Sequence, residues 1–97
     1  MEKKIGIVYS PGYGAGWSSW GNEEMALDQT LAVMIESGAD HDELESYCEG
    51  RWPDEYLGGL EDCRVCWVEA GTLFKIREYD GYESIEFNTD GYWIVAK

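Results

Sequence analysis

The last third of the chain alternates apolar and polar residues in short runs separated by turn signals, and an antiparallel sheet is the structure that satisfies such a pattern. Residues 64–69 place Val65 and Trp67 opposite Cys66 and Val68. In residues 72–79 the inward positions are Phe74 and Ile76, and in 82–87 they are Ile85 and Phe87. Asp80-Gly81, between the two runs, is suited to a tight hairpin turn whose central residues both take positive φ. A second turn over 88–91 leads into a final strand over 92–96, so four strands are predicted after residue 63.

The first two thirds read differently. Residues 3–9 form a strand with Ile5, Ile7 and Tyr9 on one face and Val8 on the other; Gly6 lets another element approach its backbone. A glycine-aromatic loop over 10–21 follows. Asn22 is placed to cap a helix in which Leu27, Leu31, Met34 and Ile35 form the buried stripe, and Gly38 is placed to end it. Asp40 and Glu43 have capping-box spacing for a second helix over about 41–49, with Leu44, Tyr47 and Cys48 inward and His41 extending that face. Pro53 and the Gly58-Gly59 pair make 51–60 a connector, in which Pro53 can open a single helical turn. The predicted fold class is α+β: a mainly antiparallel sheet of about five strands with two helices packed on one face, in the order β-α-α-β-β-β-β, within a single compact domain spanning 1–97.

Charge is distributed unevenly over this plan. Residues 22–62 carry thirteen acidic side chains and one basic one, Arg51, so this segment holds -12 of the chain's net -13. A field of that sign attracts basic surfaces and repels phosphate backbones, which makes direct nucleic-acid binding an unexpected role. Apolar residues at 44%, with five Trp and seven Tyr, argue against disorder. No apolar run approaches a membrane span and no signal-peptide pattern opens the sequence, so no membrane partner is expected. Three cysteines, Cys48, Cys63 and Cys66, are an odd number, and a reducing cytoplasm is the expected compartment.

Two segments compete as the functional centre. The acidic helical region would dock on a basic protein surface through Glu36, Asp42, Glu43, Glu45, Glu49, Asp54 and Glu55, with Trp52 and Tyr56 as aromatic anchors. The loop offers Gly12, Tyr13, Gly14, Gly16, Trp17, Ser18 and Trp20 for a nucleotide-like small molecule, with Arg77, Arg64 or Lys75 neutralising a phosphate. Its glycine spacing matches neither a phosphate loop nor a dinucleotide fingerprint. The competing view of the loop is a tight crossing in which Trp17 and Trp20 dock on the sheet.

No catalytic constellation is recognisable, and neither a cofactor nor a metal is expected. Cys63-Arg64-Val65-Cys66 has the spacing of a metal knuckle, but in a strand its two cysteines face opposite ways. His41 has no evident nucleophile beside it, and Asp62, Glu69, Glu78 and Glu83 cannot be paired without a sheet register. In size, charge and composition the chain resembles the small acidic accessory proteins of bacteriophages, including inhibitors of host defence nucleases. That resemblance involves no aligned motif and implies an inhibitory binding protein without assigning residue roles. The expected function is a small acidic, non-enzymatic inhibitor or regulator, with nucleotide-like ligand binding as the alternative.

Overall fold

A computed structural model describes residues 4–12, 16–19, 21–87 and 94–95, the last two without their side chains. The observed elements are strand β1 (Lys4–Tyr9), helices α1 (Glu24–Leu27), α2 (Gln29–Glu36) and α3 (His41–Arg51), a 3-10 turn (Leu60–Asp62), and strands β2 (Arg64–Glu69), β3 (Leu73–Tyr79), β4 (Tyr82–Phe87) and β5 (Ile94–Val95). The class is α+β, as the sequence predicts.

The strands do not form one sheet. Among the described residues, β1 pairs antiparallel with β2 alone, in the register Gly6↔Trp67 and Val8↔Val65, while the second sheet has the order β4-β3-β5. The two sheets stack because β1 and β2 are apolar on both faces. Val8 and Val65 face the helices and join Trp17, Met25, Leu31, Leu44, Cys48 and Trp52 in one cluster. Ile5, Ile7, Cys66 and Val68 face the other way and meet Phe74, Ile76 and Ile85 of the second sheet. The β1–β2 ribbon is thus the middle of three layers. A single half-buried sheet would have left one of its faces in water.

Gly6 shows how closely the layers approach. A Cβ there would lie 2.8 Å from the Ala32 Cβ of α2 and 3.0 Å from the Trp67 ring. Gln29, at the start of α2, donates through its side-chain amide to the Gly6 carbonyl at 3.0 Å and accepts from the Gly6 N–H at 2.8 Å. Those backbone groups point away from β2, so Gln29 covers a stretch of strand edge that would otherwise be open to another chain.

The helix predicted from residue 22 is two helices. Asp28 has extended ψ (108°), and its side chain caps α2 by accepting from the Leu31 N–H at 2.8 Å. The break turns Leu27 toward the second cluster while Leu31 stays in the first. Asn22 makes no side-chain cap; Glu23 occupies the cap position of α1 without one. Gly38 ends α2 at φ +84° as expected, and Ala39 N–H closes back on the Met34 carbonyl at 3.0 Å. α3 starts at the Asp40 cap, which accepts from Glu43 N–H at 2.9 Å. His41 is exposed beside Glu45 and does not extend its apolar face. At the β3–β4 turn Asp80 and Gly81 take φ 51° and 86°, the geometry their pairing predicts.

Candidate functional site

Among the described residues, a dense polar construction is built around Glu83. Strand alternation puts Glu83 on the same face of β4 as Ile85, toward the interior, and its side chain is fully buried. One carboxylate oxygen accepts from the Ser10 N–H at 3.0 Å. The other accepts from the Trp17 N–H at 2.8 Å, from the Ser19 N–H at 2.9 Å and from the Ser19 hydroxyl. The backbone N–H of Glu83 donates to the Ser10 carbonyl at 2.8 Å. None of the four groups donating to the carboxylate is a cation. Burying a charge is tolerable only where fixed dipoles replace water, and here three amides and a hydroxyl do so.

The loop is closed from two further sides. Trp17 is fully buried, its ring N–H donates to the Met25 carbonyl at 2.8 Å, and it meets Trp52 edge-on at 6.1 Å between centroids. Gly59 in the connector lies so close to the Gly16 carbonyl that any Cβ would strike it. Gly12 packs against the Asp62 carboxylate. Of the remaining residues predicted for a ligand site, Ser18 is half-buried, and Tyr13, Gly14 and Trp20 lie outside the described residues. Arg77 is not brought to the loop: it lies on the opposite face of the hairpin from Glu83 and pairs with Glu86 at 3.2 Å. Arg64 does border an open groove of about 340 Å³ beside Pro11 and Gly12, but Glu61 and Asp62 line the same groove.

The chain matches no protein-family model, no curated protein and no solved structure.

The acidic segment is displayed as the sequence suggests. Glu36, Asp42, Glu43, Glu45, Glu49 and Asp54 are exposed, and Glu55 is half-buried. The two aromatic anchors separate: Tyr56 is 41% exposed, whereas Trp52 is only 6% exposed and packs between Trp17 and Tyr47. Trp52 therefore belongs to the core, because its ring closes the helical cluster below α3.

Arg51, the single cation of this segment, is held by its own neighbours. Its Nε donates to Asp28 at 3.0 Å, and another guanidinium nitrogen contacts Glu24. Tyr47 also donates to Asp28, at 2.8 and 2.9 Å. Asp28 thus gathers α1, α2 and α3 at one buried carboxylate. Sequence pattern alone does not assign Asp28 to a site, and it leaves Glu83 as one of several carboxylates without a partner. For Glu83 the available signal is a carboxylate at an inward position of an otherwise apolar strand face; for Asp28 it is a capping residue inside a helical stripe.

Cysteine chemistry is muted here. Cys63 packs with the helical cluster and Cys66 with the sheet cluster, so they do face opposite ways. Among the described residues, no group of three or more His, Cys, Asp or Glu side chains is placed to hold a metal ion. Burial pushes the Cys48 thiol up to about 12, with the Asp28 charge adding to the effect. The Cys63 thiol is raised by burial and then by the nearby Glu83 charge. Tyr47 is raised too, by burial and by its hydrogen bond to Asp28. All three groups hold their protons more tightly when folded than when unfolded, so their contribution is intact below pH 9.0, the ordinary thiol value, and is lost as pH rises beyond it. The urea midpoint should therefore fall between neutral pH and strongly alkaline pH, and replacing Cys48 and Cys63 with Ala should flatten that fall. An unchanged pH profile in the double variant would show that other groups control it.

Proposed function

We propose that this chain is a small acidic, non-enzymatic binding protein that docks the exposed carboxylates of α3 on a basic surface of a protein partner and acts as an inhibitor or regulator. The observation that carries this reading is the set Asp42, Glu43, Glu45 and Glu49, all exposed on one helix, while Arg51, the one Lys or Arg in the sequence of 22–62, is engaged by Asp28 and Glu24. A helix bearing so many like charges tolerates a repulsion that an opposing basic surface would relieve. Tyr56 supplies an aromatic contact beside it, and Glu36 and Asp54 extend the charge.

The partner class that fits is a protein whose Lys/Arg cluster otherwise holds nucleic acid, since carboxylates and phosphates compete for the same donors. A phage-type inhibitor of a host defence or nucleic-acid-binding protein acting in the cytoplasm is the form of this proposal that agrees with the size and charge of the chain. Nucleotide-like ligand binding by the loop has less support, because the Trp17 ring is in the core and the Ser10, Trp17 and Ser19 amides already face a carboxylate. No helix among the described residues is long and apolar enough to cross a membrane.

The test is binding to a panel of purified nucleic-acid-binding proteins at low and high salt, with duplex DNA as competitor. The variant changes Asp42, Glu43, Glu45 and Glu49 together to Lys. Binding should weaken by about tenfold to a thousandfold in the variant, and in the wild type it should weaken as salt rises. Equal binding by a correctly folded variant would remove the acidic face from consideration.

A further inference from the structure

Glu83 suggests a second property, independent of the acidic face. The groups facing its carboxylate have the composition of an anion site: convergent backbone amides and a serine hydroxyl, buried on the Ser10 and Trp17 side and reaching the surface at Ser19. Such concavities usually hold a ligand from outside the chain. Here the occupant comes from a strand more than sixty residues away in sequence and in a different sheet. The Glu83 N–H also donates to the Ser10 carbonyl while its carboxylate accepts from the Ser10 N–H, so one residue links β4 to the loop at Ser10 and at Trp17–Ser19.

The charge balance makes the occupant specific. A glutamine could accept through one oxygen, but its amide nitrogen would face N–H donors where an acceptor is needed. A neutral side chain would leave the buried Ser10 and Trp17 amides without acceptors, which is the costly arrangement, whereas the donors of the exposed Ser19 could turn to water. The loop therefore has reason to keep its shape only while a carboxylate is present.

We propose that the loop amides of Ser10, Trp17 and Ser19, with the Ser19 hydroxyl, form a carboxylate-binding nest that the chain fills from within. Glu83 is its captive ligand and latches the β3–β4 hairpin onto the loop and, through Trp17, onto the helical core. A small free carboxylate is the class of ligand that takes this place when the Glu83 side chain is absent.

The experiment is amide hydrogen exchange on the full chain, in the wild type and in Glu83→Ala and Glu83→Gln, with sodium acetate compared against sodium chloride at equal ionic strength. In Glu83→Ala the Trp17 and Ser19 amides should exchange about a hundredfold faster. Acetate should restore much of that protection while chloride restores none, and neither salt should alter these amides in the wild type. Glu83→Gln should lose protection without rescue, because its side chain still occupies the nest. Wild-type protection retained in Glu83→Ala, or acetate acting no better than chloride, would overturn the proposal. If Glu83→Ala does not fold, the wild type decides. The amides of Ser10, Trp17, Ser19 and Glu83 should open together with one denaturant dependence, and separate opening of Ser19 would refute the latch.

Discussion

Trp17→Ala should destabilise the protein by about 3–5 kcal/mol, the usual cost of deleting a large aromatic side chain from a core. The expectation rests on three contacts made at once. The ring is fully buried in the helical cluster, its N–H donates to the Met25 carbonyl, and its edge-on contact with Trp52 closes the space between the loop and α3. A domain of this size has about 5–15 kcal/mol in hand, so the variant should lose a large share of it. The melting temperature should drop by about 12–40 °C, since each kcal/mol shifts a domain of this length by about 4–8 °C. Trp17→Phe should fall between wild type and Ala, because it restores much of the ring volume and leaves the Met25 carbonyl without that donor. Urea unfolding followed by circular dichroism measures both variants. Near wild-type stability for Trp17→Ala would mean that the loop does not depend on this ring. The result also governs how ligand experiments are read: loss of a bound nucleotide in Trp17→Ala would report a damaged fold before it reported a missing stacking surface.

What the sequence made legible was local. β2 and β4 fall on the residues their alternation marks, α3 begins at its Asp40 cap, and the turns at Gly38 and Asp80-Gly81 follow from which residues tolerate positive φ. The apolar residues of the first and second strands were also assigned to the correct faces. The step from strands to sheets was not legible, because alternation fixes which face a side chain takes but not what covers that face. β1 carries apolar residues on both faces, and that was the available sign of a middle layer. Asp28 was hidden for a related reason: Leu27 and Leu31 fit one helical stripe, and a carboxylate between them passes for a solvated position until its partners on α3 are in place. Trp52 reads as an aromatic anchor within the acidic segment, yet the end of α3 directs its ring inward against Trp17 and Tyr47. Glu83 required a contact spanning most of the chain, and no spacing rule encodes that.

Asp28→Ala should cost about 3 kcal/mol, and the loss has separable parts. The first is the α2 cap, where removing an acidic capping residue costs about 0.5–2 kcal/mol. The second is the Tyr47 hydroxyl, which donates to Asp28 from a half-buried position and would lose its acceptor, at about 1 kcal/mol or more. The Arg51 contribution should be the smallest, because its side chain is 46% exposed and water can take over its donors. Asp28→Asn should recover the cap and one Tyr47 contact, so its cost should be about half that of Ala. Arg51→Ala should cost less than either change at Asp28. Denaturant midpoints give this order directly, and a larger loss for Arg51→Ala than for Asp28→Ala would show that the ion pair, not the cap and the phenol, holds the three helices together. A second readout separates this network from simple helix fraying. Burial raises the Tyr47 pKa most, and the Asp28 hydrogen bond and charge add to it, so in Asp28→Asn the Tyr47 ring should titrate at lower pH than in the wild type while staying above its ordinary value. The same junction fixes α3 relative to α1 and α2. If the acidic residues of α3 act as a docking surface, Asp28→Asn should weaken docking without altering any of those residues, by loosening the helix that presents them.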